Sequence, residues 1–235
     1  GAAACHHDAF TLDGQAACVV IDDALLAPER LPAFAQAYRE DFQAAPPAVF
    51  PGLQLRMPEE FTALLHDVFR DHARRTLGAR RVLRSASRLS LLTSPIAALA
   101  PTHWIPRRER TFAPEQCIAV AELFLFHDAT LGGTHFFAPR VSAQALEQLE
   151  HDADALSPDA FSQRHAIAAG FPQASSAYFA HVRTVPARWN RLLIHDGATF
   201  HAPAVADPSR LATDPRHGRL TLQAVLVCSR NRVAW

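Results

Sequence analysis

Apolar residues in the first third of the chain recur at helical spacing. Residues 18–21 form a short apolar run that predicts a strand. Pro28 and Pro58 each stand near the start of a stretch with apolar residues every three or four positions, and each stretch predicts an amphipathic helix, the second reaching about residue 78. The two stripes are Leu31, Phe34, Ala35, Tyr38 and Phe42, then Phe61, Leu64, Leu65, Val68 and Phe69. Residues 1–80 are therefore expected to supply a strand and helices that pack on a larger core.

The spacing changes from residue 81 onward, where apolar residues alternate with polar ones or form short continuous runs. These patterns predict strands at 82–92, 118–126, 134–137, 178–185, 191–194 and 220–227. Residues 142–169 interrupt them with a composition rich in Ala, Leu, Glu and Gln, which predicts a helical insertion starting at Ser142. We expect a single domain over 1–235, α+β in class but mainly β, with its core at 81–228.

Composition and charge exclude several classes of protein. Of the 235 residues 49% are apolar and 20% charged, which predicts a packed core, and the formal net charge of zero argues against binding to nucleic acid or an anionic membrane. Every basic residue is Arg, so chemistry that needs a lysine amine, such as Schiff-base catalysis or a phosphate-binding loop ending in Lys, is excluded.

The four cysteines and the apolar runs bear on the compartment. Cys5, Cys18, Cys117 and Cys228 are scattered without a CxxC spacing, which favours reduced thiols and a cytoplasmic protein. No apolar run reaches the roughly 18–20 residues of a membrane span. The expected partner is a small-molecule substrate, and a homodimer is an open alternative.

Histidines are the main candidates for chemistry, because the chain lacks the GxSxG, GxGxxG and HExxH motifs. The sequence has 13 His residues. Three of them, His103, His135 and His201, occupy strand-like positions next to turns, where the mouth of a barrel would collect them. A metal site requires such convergence.

Four segments in a fixed order carry a resemblance to a known family. They are 101–105 (PTHWI), 131–137 (LGGTHFF), 189–201 (WNRLLIHDGATFH) and 218–222 (GRLTL). This order resembles the double-stranded β-helix oxygenases that use non-haem Fe(II) and 2-oxoglutarate, and especially an uncharacterised bacterial branch of that family. The likeness extends over about 80–228 and implies a jelly-roll-like barrel with N-terminal helices.

The resemblance also implies roles for individual residues. His103 and His201 match the two metal-ligating histidines, and Arg219 with Thr221 matches the pair that holds the far carboxylate of 2-oxoglutarate. Asn190 is expected to line the co-substrate pocket. The implied reaction is hydroxylation of an unidentified small molecule, with Fe(II) and 2-oxoglutarate as cofactors.

Ile105 occupies the position at which the family has the third metal ligand, a carboxylate. An aliphatic side chain has no electron pair to donate, so three interpretations remain. Glu122 or Glu109 replaces the carboxylate, or iron binds through two His and 2-oxoglutarate alone. In the third, metal binding is lost, and the barrel is a catalytically inactive module that binds a small molecule or a protein.

Other polar residues have simpler structural interpretations. His201 could fill the end of the barrel, and Arg219 could form a surface salt bridge. His127 and His135 flank a hairpin and could form a second metal pair, although exposed hairpin polarity explains them more simply. The basic cluster Arg107, Arg108 and Arg110 is interpreted as a solvated loop, with an anion clamp as the alternative.

Overall fold

A computed structural model describes residues 7–12, 16–111 and 113–230. Its strands are β1 (His7–Leu12), β2 (Ala16–Ile21), β3 (Gln43–Ala44), β4 (Gly52–Arg56), β5 (Ala79–Leu92), β6 (Gln116–Phe124), β7 (Thr134–Pro139), β8 (Phe179–Val185), β9 (Leu192–Asp196), β10 (Phe200–Pro203) and β11 (Arg219–Arg230). Its α-helices are α1 (Arg30–Ala37), α2 (Glu59–Val68), α3 (Ala143–Ala155) and α4 (Pro158–His165).

The strands form two antiparallel sheets. The large sheet has eight strands in the order β1-β2-β9-β6-β11-β5-β4-β3, and the small sheet has three in the order β10-β7-β8. A single bridge between Arg107 and His201 lies beside the small sheet at β10. The described part of the chain is thus mainly β, with few helices.

Three apolar clusters hold the layers together. Alternate residues of the large sheet pack against α1 and α2, as Leu89 and Leu222 do. The other faces of the two sheets meet in a second cluster that contains Phe124 and Phe136. The outer face of the small sheet packs against α3 and α4 through Phe137 and neighbouring residues. The helical insertion therefore lies outside the two facing sheets.

Helix boundaries in the insertion follow from local sequence. The Ser142 hydroxyl accepts a hydrogen bond from the backbone N–H of Ala145 at 3.3 Å, and Ser157 accepts one from Ala160 at 3.4 Å. Pro158 follows at the first position of α4, where its missing N–H is not needed. These caps explain why the predicted insertion contains two helices rather than one.

The N-terminal region differs from the prediction of one strand and helices. It contributes four strands, β1 to β4, which extend the large sheet at both edges. The helical pattern that was expected to reach residue 78 ends in α2, followed by a π-helical segment at Phe69–Ala73. Short edge strands such as the two-residue β3 have too few positions to show an alternating pattern.

The cysteines within the described residues are buried free thiols, at positions 18, 117 and 228. Cys5 lies outside the described residues. In the described part of the chain, none of the helices is both long and apolar enough to span a bilayer.

Candidate functional site

A cavity of about 90 Å³ lies between the two sheets. Its polar lining includes His103, Glu109, Glu122, His195, His201 and Gln223. Its volume is roughly that of three water molecules, at about 30 Å³ each. Four predicted or alternative ligands, at positions 103, 109, 122 and 201, thus border one partly open cavity.

Strand alternation explains why these side chains point inward. Glu122 on β6 lies directly opposite Gln223 on β11, so the two side chains share a face of the large sheet. His195 on β9 lies opposite Val120 on the same face. His201 on β10 lies opposite Phe136 of the inner cluster. Both sheets therefore direct polar residues into the cavity.

Each of the three cavity histidines donates one ring N–H to a backbone carbonyl. His201 Nδ1 donates to Thr199 at 2.9 Å, and His195 Nδ1 donates to Asp196 at 2.9 Å. His103 Nε2 donates to Pro47 at 2.6 Å. A carbonyl only accepts, so the lone pair of each neutral ring is on the other nitrogen. The Nε2 atom of His201 is thus a free acceptor, as metal binding requires.

Burial holds the three histidines in their neutral form. Desolvation lowers the pKa of His103 and of His195, with the hydrogen bonds to backbone carbonyls opposing the effect. The pKa of His201 lies well below the ordinary value because of desolvation, with His195 and Arg107 adding repulsion. The His195 and His201 rings are in contact, with centroids 4.5 Å apart, so a positive charge on either ring disfavours one on the other.

We expect the free energy of unfolding to fall as the pH is lowered below about 6.5, the value of an unfolded histidine. The lowered pKa values mean that the unfolded chain takes up protons that the folded chain does not, at up to about 1.4 kcal/mol per pH unit for each proton. Urea unfolding at several pH values measures this slope. His201→Gln should reduce it, whereas His151→Gln, at an exposed position on α3, should not. An equal slope in His201→Gln would contradict the assignment.

Arg219 lies inside the protein, only 1% exposed, and does not form the surface salt bridge considered as an alternative. Its Nη2 donates to Glu122 Oε1 at 3.3 Å and to the Gly133 carbonyl at 2.9 Å, and its Nε donates to the Gly132 carbonyl at 3.3 Å. Glu122 also accepts a hydrogen bond from the Thr134 hydroxyl at 2.6 Å. The chain itself therefore supplies a carboxylate to the arginine predicted to bind 2-oxoglutarate.

The Gly132-Gly133 turn approaches other backbone closely. A Cβ atom at Gly133 would lie 1.9 Å from the Val185 carbonyl oxygen, and one at Gly132 would lie 1.9 Å from that of Ala204. Gly132 also has a φ of +81°, which favours glycine. These two glycines let the turn present both carbonyls to Arg219.

Thr221 and Asn190, the other predicted co-substrate residues, differ in their surroundings. Thr221 is fully buried on the inner face of β11, and its hydroxyl has no hydrogen-bond partner within the described residues. Asn190 Oδ1 accepts from the Leu25 N–H at 3.0 Å, and its Nδ2 donates to the Leu25 carbonyl at 2.8 Å. Asn190 thus holds the segment after β2, and it is not among the residues that line the cavity.

Ile105 is buried in the cluster beneath α3 and α4 and also borders the cavity. Glu109 lies nearby but forms an ion pair with Arg107 at 2.5 Å. Within the ranges that the structure describes, no three His, Cys, Asp or Glu side chains are placed to hold a metal ion together. The bridging of a metal by His103 and His201 therefore stays a prediction.

Two further predictions about histidines are changed by the structure. His103 ends a one-turn 3₁₀ helix rather than lying on a strand, and His135 points to the outer face of the small sheet, away from the cavity. His127 stacks on Trp189, with centroids 4.3 Å apart, and His135 instead contacts His181. A metal pair of His127 and His135 would require the two residues to lie on facing strands. His127 lies after the end of β6 and outside any strand, so the two histidines do not form this pair.

His195 lines the cavity but is not among the histidines that the sequence suggested as ligands. Its neighbour Asp196 points elsewhere, and the carboxylate of Asp196 pairs with Arg230 at 3.6 Å, so the two adjacent residues form no catalytic pair. The alternation of Leu193 and His195 with Leu192 and Ile194 is the signal that could have placed His195 inside. The basic cluster is partly neutralised, since Arg107 pairs with Glu109 and both Arg108 and Arg110 pair with Glu150 of α3.

Two solved structures resemble the chain in overall shape. One is the non-haem α-ketoglutarate-dependent epimerase SnoN from nogalamycin biosynthesis, with 17% identity and a TM-score of 0.47 over 92% of this chain and 82% of that one. The other is AviO1 from Streptomyces viridochromogenes Tue57, with 14% identity and a TM-score of 0.40 over 93% and 91%.

Comparisons of sequence give a family but no characterised relative. Among curated proteins, none matches the chain. The sequence profile of a family of unknown function, DUF6445, matches residues 3–226, which is nearly the whole chain. The chain therefore belongs to the DUF6445 family.

Proposed function

We propose that this protein is a double-stranded β-helix barrel that binds an anionic small molecule, and that it has lost the Fe(II) and 2-oxoglutarate site of the oxygenases it resembles. The observation that carries this proposal is the buried pair of Arg219 and Glu122. In the oxygenase interpretation, Arg219 would pair with a carboxylate of 2-oxoglutarate. Here a carboxylate of the chain already lies beside it.

The strand order supports the barrel assignment. A jelly roll has eight strands in two facing sheets. Without the flanking strands β1 to β4, the large sheet keeps β9-β6-β11-β5, and the small sheet keeps β10-β7-β8 with the Arg107 bridge beside β10. Each sheet then has four strand positions, with the Arg107 bridge as the fourth in the small sheet, and the cavity lies between the two sheets.

The residues as arranged do not fit Fe(II) with 2-oxoglutarate. Ile105 offers no donor, and within the described residues no three His, Cys, Asp or Glu side chains are placed to hold a metal ion together. Placing 2-oxoglutarate on Arg219 would also bring a second carboxylate beside that of Glu122. Like charges in a buried site are unfavourable. No step of iron chemistry is therefore assigned to this chain.

An anionic ligand is favoured by two arginines on the same face as the cavity. Arg56 on β4 lies directly opposite Arg88 on β5, and Arg88 lies opposite Gln223, which lines the cavity. Both arginines are exposed, and neither has an ion-pair partner within the described residues. Like charges directly opposite each other destabilise a sheet. An anion bound between the two guanidinium groups would remove this repulsion.

We expect inorganic phosphate or succinate to raise the melting temperature of the wild-type protein, and Arg56→Gln and Arg88→Gln each to abolish the shift. Arg75→Gln, which removes the same charge at an exposed position after α2, should leave it unchanged. Incubation with Fe(II), 2-oxoglutarate and oxygen should release no succinate. Iron-dependent succinate release by the wild type, or an equal thermal shift in Arg56→Gln and Arg88→Gln, would contradict the proposal.

A second candidate, an active Fe(II)- and 2-oxoglutarate-dependent oxygenase, is favoured by one observation. Glu109 borders the same cavity as His103 and His201, so it could replace the missing carboxylate after leaving Arg107. Glu122 is the weaker surrogate because both of its oxygens are engaged. This candidate requires the wild type to bind Fe(II) and Glu109→Gln to lose that binding.

A further inference from the structure

Three polar side chains converge on the outer face of the small sheet, on the far side from the cavity. His135 Nδ1 and His181 Nε2 are 3.1 Å apart. The Thr184 hydroxyl lies 2.8 Å from His135 Nδ1 and 3.0 Å from His181 Nε2. The three atoms form a nearly equilateral triangle. All three side chains are half-buried or exposed, so solvent reaches the cluster.

A β-bulge in β8 creates this cluster. Thr184 lies opposite His135 and Arg183 opposite Phe136, but the next residue of β7, Phe137, lies opposite His181. The extra residue, Val182, shifts the alternation by one position. His181 and Thr184, three residues apart, therefore share a face, which regular alternation would forbid.

The triangle has the dimensions of one face of a metal coordination shell. Nitrogen ligands lie about 2.0–2.1 Å from Zn²⁺, so two donors on one ion are roughly 2.9 Å apart at right angles and roughly 3.3 Å apart in a tetrahedral shell. The three measured separations are 2.8, 3.0 and 3.1 Å. A single ion above the triangle could contact all three donors with little movement of the side chains.

Gln173 fixes the protonation of His135 in the form that a metal needs. The side-chain amide nitrogen of Gln173, Nε2, donates to the carbonyls of Phe171 at 3.3 Å and Pro203 at 3.4 Å. These bonds orient the Gln173 Oε1 atom toward the His135 ring. His135 Nε2 lies 3.3 Å from that oxygen and donates to it. The lone pair of His135 is therefore on Nδ1, the atom in the triangle. Metal-ligating histidines commonly donate their other N–H in this way.

We propose that His135, His181 and Thr184 form a binding site for a divalent transition-metal ion of the class that prefers imidazole, namely Zn²⁺, Ni²⁺ or Cu²⁺. Two imidazoles and a neutral hydroxyl suit these ions better than Mg²⁺ or Ca²⁺. The remaining coordination positions face solvent and take water. This site is separate from the cavity and does not depend on the function proposed for it.

The test is a calorimetric titration of the chelator-treated 235-residue chain with Zn²⁺. The protein carries His6→Gln and His7→Gln, which remove adjacent histidines near the N-terminus that could also bind the ion. We expect one equivalent to bind, and His135→Gln or His181→Gln each to abolish binding. Gln173→Leu should weaken it roughly 10- to 100-fold, since Gln173 only orients His135. Mg²⁺ should not bind.

The control variants separate this site from the other histidines. His201→Gln alters the cavity and His151→Gln an exposed helix position, and both should bind Zn²⁺ like the parent. A Cu²⁺ spectrum by electron paramagnetic resonance should show coupling to two nitrogens in the parent and one or none in His135→Gln. Unchanged affinity in both ligand variants, or loss of the site in His201→Gln, would overturn the proposal. Circular dichroism establishes that each variant is folded.

Discussion

Glu122→Ala should lower the free energy of unfolding by about 3–5 kcal/mol, the usual loss when one partner of a buried ion pair is removed. Arg219 is 1% exposed, and without Glu122 its charge would keep only the Gly132 and Gly133 carbonyls and the Phe124 and Phe126 rings as neighbours among the described contacts. Carbonyl dipoles stabilise a buried guanidinium less than a carboxylate does. Urea unfolding at neutral pH measures the difference from wild type.

A small carboxylate should partly restore the stability of Glu122→Ala. The substitution leaves a space next to Arg219 of about the size of acetate, and acetate placed there would supply the missing charge. We expect acetate to stabilise Glu122→Ala more than chloride of equal ionic strength, and to have no such effect on the wild type. Glu122→Gln, which retains the shape and a hydrogen bond to Thr134 without the charge, should not respond to acetate. A loss below about 1 kcal/mol in Glu122→Ala would show that the pair contributes little.

Ile105→Asp should make the stability of the protein depend on a metal ion. Ile105 is 6% exposed in an apolar cluster, so a carboxylate there loses its hydration and destabilises the fold by several kcal/mol. The same carboxylate would supply the donor that His103 and His201 lack. An ion that binds the folded form alone stabilises it by an amount that rises with the logarithm of its concentration over the dissociation constant.

The measurement is thermal unfolding of wild type, Ile105→Asp and Ile105→Asn with and without Fe(II) under anaerobic conditions. We expect Ile105→Asp to melt at a lower temperature than the wild type and to regain stability with Fe(II). Ile105→Asn should regain little, because its neutral amide is a weaker ligand than a carboxylate. His103 would offer its Nδ1 atom to the ion, because its Nε2 donates to the Pro47 carbonyl. If wild type binds Fe(II) and Glu109→Gln does not, the active oxygenase is correct and the degenerate barrel is wrong. Absence of any response in Ile105→Asp would mean that the histidines have only a structural role.

The pattern of apolar residues was enough to predict the mainly β class and the approximate positions of the long strands. In β11, apolar residues at every second position, from Leu220 to Leu226, face the helices, so the period of two is visible there. In β5, a leucine-rich stretch at its C-terminal end predicts the strand instead. The helices of the insertion were also predictable, because capping by Ser142 and Ser157 depends only on neighbouring residues. The order of motifs further placed His201 and Arg219 in the protein interior.

The contacts of those residues depend on the three-dimensional fold. The partners Arg219 and Glu122 are 97 positions apart, and His103 and Pro47 are 56 apart, so no local pattern pairs them. The meeting of His135 with His181 depends on a single extra residue in β8, which shifts the register without changing the composition of the strand. Local sequence indicates which residues of a regular strand share a face, but the contacts between the two sheets depend on how strands distant in sequence pair and face each other.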